Sequence, residues 1–299
     1  MARPALSAER AIDILNFITN ESGHEFTLSE LVERLEVNIA SCHAVLNALT
    51  KNGYLIRHPK HKTYTLGPAL VAIGQASLER HPAIGMAREA AFEVAQETNL
   101  EVVLNARIGD EIVGLARFGK FHTSAASMRV GQHVPLIPPL GALWMAWSNE
   151  DDIKNWMRRL PHKITRAEKA SYSEVLNFIR AHGYGIYLEN PATVQLGQTT
   201  EGISSSSDSR DTKEQLTKLI DKLDVDGHYL TKTESGKSYN VNIISAPIFS
   251  PFGETGYVMS MIGFNQALST EEIQAYATML SDRCRSITVQ NHGRLPPST

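Results

Sequence analysis

Between Asn38 and Leu66 the chain carries four basic residues, Lys51, Arg57, Lys60 and Lys62, with three histidines and no acid. Met1 to Val37 carries three basic residues against seven acidic ones, and the whole chain has a formal net charge of −3. One contiguous segment is therefore set apart as positive, and a polyanion needs such a face far more than it needs a high overall pI. The residue types in the segment also suit base edges. Ala40 and Ala44 are small enough for a backbone to approach a groove and touch a thymine methyl, Asn47 can read adenine, and Lys51 can reach guanine or phosphate, with Ser41 and His43 on the flanks. Arg57, Lys60, His61 and Lys62 form a second, phosphate-directed group. A merely solvated face is the competing reading of any charge run. The elements that carry these residues decide between the two.

Apolar residues recur at i, i+3, i+4, i+7 three times: Ala11, Ile14, Leu15, Ile18; then Leu28, Leu31, Val32, Leu35; then Cys42, Val45, Leu46, Leu49. Each set predicts one buried helix stripe. Thr27-Leu-Ser-Glu30 reads as a capping box for the second helix and Asn38 as the cap of the third. Thr27 and Asn38 join the DNA-contacting candidates. The connection from Glu36 to Ile39 is short enough for a helix-turn-helix, and Gly53 stops the third helix. The third stripe leaves Ala40, Ala44, Asn47 and Lys51 facing outward. Tyr54 to Arg57 and Thr63 to Leu66 are two β-prone runs around His58-Pro-Lys-His-Lys62, a hairpin with a basic tip, or wing.

At 299 residues and 42 % hydrophobic content the chain has room for two domains. The start carries Arg3, Glu9 and Arg10 with no apolar signal core, and Leu136 to Trp147 is too short to span a membrane and is broken by Pro138 and Pro139. Two distant cysteines, Cys42 and Cys284, exclude a disulfide framework and point to the cytoplasm. Cys42, His43, His58 and His61 have metal-ligand chemistry, but Cys42 belongs to a core stripe and the four are not expected to converge on zinc. Catalytic signatures and cofactor loops are not found, so neither catalytic residues nor a cofactor are expected.

Behind the wing, Pro68 sits at a helix start, and helical spacing runs on either side of His81-Pro82. Leu100 to Asn105 and Glu111 to Arg117 read as strands, Glu168 to His182 as a helix, Tyr184 to Leu188 as a strand, and Val241 to Phe249 with Tyr257 to Gly263 as a hairpin. Ser269-Thr-Glu-Glu272 opens a last helix in which Cys284 is a packed thiol. Locally paired strands with flanking helices make an α+β domain. Ser204 to Ser207 reads as a polar loop and Thr212 to Leu223 as an amphipathic helix. The resulting division is 1–67, a winged helix-turn-helix domain; 68–82, a linker helix; and 83–299, a regulatory domain with an insertion near 189–240.

Ser7-Ala-Glu-Arg-Ala-Ile-Asp-Ile-Leu15, the two later helices and Gly53-Tyr-Leu-Ile-Arg57 with Thr63-Tyr-Thr-Leu-Gly67 resemble the IclR family of bacterial regulators. So do Val130-Gly-Gln-His-Val-Pro-Leu136 with Gly141-Ala142, Ile244 to Phe249 and Tyr257 to Gly263. The chain departs from the family pattern at Ala44, where the family carries arginine, and at Ala40 and Ser41, where it carries a Ser-Thr pair. It is also longer between Leu188 and Asn240. The resemblance implies a GAF-like α/β effector-binding domain, a linker helix that helps dimerise, and control by a small metabolite. Its implied effector residues are Leu140, Gly141, Ala142 and Leu143 on a short helix, Arg129 and His133 before it, and Ile243, Ser245, Ser260 and Ile262 on strands. Arg129 and His133 would pair with the carboxylate of an organic acid. The expected partners are a double-stranded DNA operator, that effector, and further copies of the chain as a homodimer or dimer of dimers, with no membrane. A competing function class is a small-molecule sensor or enzyme whose winged helix contacts protein.

Overall fold

The computed structural model describes residues 5–21, 23–120, 127–189 and 225–296. The Ser204 to Ser207 loop and the Thr212 to Leu223 helix expected from sequence lie outside them.

Three helices open the chain: α1 (Leu6–Asn20), α2 (Leu28–Arg34) and α3 (Ile39–Lys51). Each turns one apolar stripe inward, and Ile14, Phe17, Ile18, Leu31, Cys42 and Leu46 meet in a single buried cluster with Phe26, Leu55 and Tyr64. The Thr27 hydroxyl accepts from the Glu30 backbone N–H at 3.3 Å while the Glu30 carboxylate accepts from the Thr27 N–H at 2.7 Å. That reciprocal bond holds the Glu30 carboxyl below its usual range and fixes where α2 begins. Asn38 caps α3, accepting from Ala40 and Ser41 N–H at 2.9 and 3.3 Å. Gly53, at φ +75°, turns the chain out of α3 into β1 (Leu55–Arg57), which pairs antiparallel with β2 (Tyr64–Leu66) in the register Leu55 to Leu66 and Arg57 to Tyr64.

Helices α4 (Ala69–Arg80) and α5 (Pro82–Thr98) follow, the second started by a proline whose missing N–H costs nothing at that position. The rest is built on a six-stranded antiparallel sheet in the order β5-β4-β3-β9-β8-β6. Its strands are β3 (Glu101–Ile108), β4 (Glu111–Phe118), β5 (His133–Pro135), β6 (Gly185–Leu188), β8 (Val241–Phe249) and β9 (Thr255–Ile262). The small strands β7 (Ser238–Tyr239) and β10 (Leu268–Ser269) pair separately. One sheet face is covered by α5 and by α10 (Thr270–Gln290), which Ser269 and Glu272 cap as a box. Cys284 lies in that core, and burial pushes its thiol pKa up.

Toward the other face lie α6 (Ala142–Met145), α7 (Glu150–Met157) and α8 (Arg166–His182), packed around Trp156, Leu143 and Ile179. A four-residue helix, α9 (Val225–His228), joins them there. The architecture is thus α+β, a winged helix-turn-helix domain followed by an α/β domain with one sheet between helical layers. Two sequence expectations shift. The short helix starts at Ala142, because Gly141 stands at φ +91° with Leu136 packed 2.2 Å from where a Cβ would be, so Leu140 and Gly141 precede it. The helix expected from Glu168 starts at Arg166, because Thr165 and Glu168 form a capping box.

Candidate nucleic-acid interface and effector cavity

On α3 the outward positions Ala40, His43, Ala44, Asn47 and Lys51 are all exposed. The burial of Cys42 and Leu46 on the opposite stripe fixes this facing. Asn47 lies 3.3 Å from the His43 ring, one helical turn away, so the two polar groups form one patch. Ser41 is placed differently. Its hydroxyl accepts from the Arg10 guanidinium at 2.5 Å, which ties α3 to α1 and leaves the side chain half-buried. Thr27 and Asn38 likewise spend their side chains on helix caps.

In the wing, Pro59, Lys60, His61 and Lys62 are exposed at the tip. The His58 ring accepts from the backbone N–H of Lys60 and His61 at 3.2 and 3.1 Å, which shapes the turn, and lies tilted with its centroid 4.5 Å from that of the His61 ring. Thr63 donates to Glu25 at 2.5 Å, and Arg57 lies 5.6 Å over the Tyr64 ring, so the wing is anchored to the domain it extends from. Cys42 is buried in the core of the winged helix-turn-helix domain, called the reader below, away from the tip histidines.

A cavity of about 120 Å³ opens between the sheet and α6. Alternate residues of the central strands reach it from one face: Val103 and Asn105 of β3, Ile243 and Ser245 of β8, Val258, Ser260 and Ile262 of β9. Ser245 and Ser260 stand opposite each other and share a hydrogen bond of 2.7 Å. Leu140, Gly141 and Trp144 close one side, and Tyr187 and His228 another. Ser127, Met128 and Gln132 come from the loop before β5. Ser127 donates to Glu101, a fully buried carboxylate paired with Arg117 at 2.5 Å. The Tyr187 hydroxyl bonds to that of Tyr229, which donates to the Pro139 carbonyl, and burial raises both phenol pKa values. Burial alone lowers the His228 pKa to about 4.

Of the effector residues expected from sequence, Leu140, Gly141, Ile243, Ser245, Ser260 and Ile262 line this cavity. Ala142 and Leu143 pack into the α6–α8 core instead. Arg129 and His133, expected to hold a carboxylate, point elsewhere: Arg129 pairs with Glu21 of the reader at 3.8 Å and His133 with Glu111 at 2.7 Å. Among the described residues the lining contains no lysine, arginine, aspartate or glutamate. Asn105, Ser127, Gln132, Tyr187, His228 and Asn242 were missed. The period-two pattern of β3 could have flagged Asn105. Nothing local in the sequence marks His228.

The loop that supplies Ser127 and Gln132 also touches the reader. At Gly131, φ +81°, a Cβ would lie 2.6 Å from Thr19 Cγ2 of α1, so only glycine permits this approach. The same loop thus lines the cavity on one side and meets the end of α1 on the other.

The profile of the IclR helix-turn-helix domain matches residues 7–59, which span α1, α2, α3 and the first wing strand. That segment is an IclR-type helix-turn-helix domain. It is 26 % identical over 183 residues to the HTH-type transcriptional regulator BhcR of Paracoccus denitrificans, a match covering 60 % of this chain and 65 % of BhcR. The chain therefore spans just under two thirds of that relative's length. In three dimensions the chain resembles the IclR transcriptional regulator from Alicyclobacillus acidocaldarius, at TM-score 0.67 and 18 % identity over 97 % of this chain and 100 % of the other. An IclR homolog from Microbacterium hydrocarbonoxydans, solved in complex with 4-hydroxybenzoate, superposes at TM-score 0.62 and 14 % identity, covering 95 % of this chain and 98 % of its own.

Proposed function

We propose that this chain is a cytoplasmic, ligand-responsive transcriptional regulator that binds a double-stranded DNA operator and controls genes of small-molecule metabolism. The observation that carries the reading is the joint exposure of Ala40, Ala44, Asn47 and Lys51 on one face of α3 with the basic wing tip beside it. Helix α3 enters the major groove, where Asn47 and Lys51 read base edges, and Arg57, Lys60, His61 and Lys62 hold phosphates. Ser41 and Asn38 position α3, and Thr27 caps α2, rather than contact bases.

The division into a reader (1–67), a linker helix (68–82) and a regulatory domain (83–299) follows the same logic. Helix α4 buries none of its twelve residues, and Val71 and Ile73 are 75 % and 48 % exposed. A second copy of α4 would cover them, which supports a homodimer or dimer of dimers reading paired half-sites. The effector occupies the cavity between the sheet and α6, a reading supported by the ligand-bound relative. Its signal reaches the reader through the loop from Ser127 to Gln132, because any shift of that wall moves Gly131 against Thr19. An effector acts only by the difference in its affinity for the two DNA-binding states, typically about 1–3 kcal/mol.

Footprinting on the DNA upstream of the chain's own gene tests the reading. Two protected half-sites about one helical turn or a multiple apart are expected, with Asn47→Ala weakening protection by about 1–3 kcal/mol. Occupation of a single half-site by a monomer, or protection indifferent to Asn47, would contradict it.

A further inference from the structure

We propose that His228 is the hydrogen-bonding anchor of the cavity for a ring-sized ligand that enters uncharged and carries a hydroxyl group. The proposal rests on the reading of this cavity as the effector site.

His228 ends α9, within the Leu188 to Asn240 segment where the chain is longer than the family pattern, and its side chain is 3 % exposed. Neither ring nitrogen has a hydrogen-bond partner. The ring is held edge-on by Tyr187 and Tyr229, at centroid distances of 5.4 and 4.9 Å, and it lines the cavity. Two further buried polar atoms of lining residues lack partners, the Trp144 indole N–H and the Asn105 side-chain oxygen. A buried polar group without a partner is costly, so such a group on a cavity wall marks what the occupant must supply.

The inventory decides the ligand's chemistry. A neutral imidazole offers one donor and one acceptor, Trp144 adds a donor and Asn105 an acceptor. A hydroxyl donates once and accepts twice, so it matches a wall that presents both kinds. A carboxylate only accepts, and it would face Asn105 and the bare imidazole nitrogen with nothing to give them. No lysine or arginine among the described lining residues could balance its charge. Burial also keeps His228 neutral near pH 7, its pKa lowered to about 4. The carboxylate anchor expected from Arg129 and His133 is therefore replaced by a neutral one. Size sets the rest. An apolar cavity of roughly 150 Å³ accepts benzene, and this one, at about 120 Å³, takes a single ring or its equivalent.

The test uses the full chain and three probes that differ by one group: phenol, benzene and benzoate, titrated by ligand-observed NMR at pH 7.5 into the wild type and His228→Phe. Phenol is expected to bind about three- to tenfold more tightly than benzene, with benzoate weakest. In His228→Phe benzene binding is expected to persist and the phenol advantage to vanish. A phenol advantage that survives in His228→Phe overturns the anchor, and benzoate binding tightest to the wild type overturns the uncharged class. Failure of all three probes to bind the wild type removes the cavity reading itself, and the anchor with it. Should His228→Phe not fold, the imidazole nitrogen resonances of the wild type serve instead. They are expected to move with saturating phenol and not with benzene, and their indifference to phenol overturns the anchor.

Discussion

The reader and the cavity domain put their chemistry in opposite places. In the reader the groups that could touch a partner are exposed, lie within Asn38 to Lys62, and are aimed by helix and hairpin geometry that the local sequence dictates. In the cavity domain they are buried, and they arrive from β3, the loop before β5, α6, β6, α9, β8 and β9, more than 150 residues of chain. A surface site can be written in one segment, because period and charge alone decide which side chains face outward. An interior site needs the sheet order before any residue can be assigned to it.

The comparison breaks first if the two regions are not separable. Phe17 is fully buried in the reader core, and Phe17→Ala is expected to cost the reader about 3–5 kcal/mol and abolish duplex binding. The cavity domain should keep its own thermal transition and its probe binding. A single transition that falls as one unit would show that reader and cavity fold together.

A smaller effect sharpens the interior half. The folded chain holds His228 neutral down to about pH 4, whereas an unfolded imidazole takes up its proton near the ordinary value of 6.5. Between those values the unfolded chain binds more protons, so stability present above pH 6.5 is lost as pH falls through this window, by up to about 3 kcal/mol. Denaturant midpoints measured from pH 7 to 4.5 should fall more steeply for the wild type than for His228→Phe. Parallel curves would mean that the imidazole is solvated.

The smallest effect is at the junction. Gly131→Ala sets a Cβ against Thr19 and strains a left-handed backbone, at a cost of about 1–2 kcal/mol. Although Gly131 belongs to the cavity domain, both melting temperature and duplex affinity should change. If duplex affinity is unmoved, the contact does not carry a signal between the regions.

The same contrast explains what was legible in the sequence. The three stripes, the Thr27 and Ser269 capping boxes and the wing were readable because each rests on contacts a few residues apart. The sheet face was partly readable: Ile243, Ser245, Ser260 and Ile262, which the family resemblance implies, line the cavity from one hairpin. Arg129 and His133 were misplaced as carboxylate ligands because their partners, Glu21 and Glu111, are set by tertiary packing. Ser41 reads in the sequence as a DNA-contacting hydroxyl, but its bond to Arg10, thirty-one residues away, is set by the packing of α1 on α3. His228 offered no periodic or motif signal.

The central claim, that Asn38 to Lys62 binds DNA, is tested most directly by the salt dependence of duplex affinity. Lys60→Ala with Lys62→Ala changes two exposed side chains at the wing tip and no core contact. Each phosphate contact contributes about 0.9 to the slope of log affinity against log salt. The double variant is expected to bind more weakly at low salt, with the slope flattened by about 1.8 per chain. Unchanged affinity and slope would contradict the account.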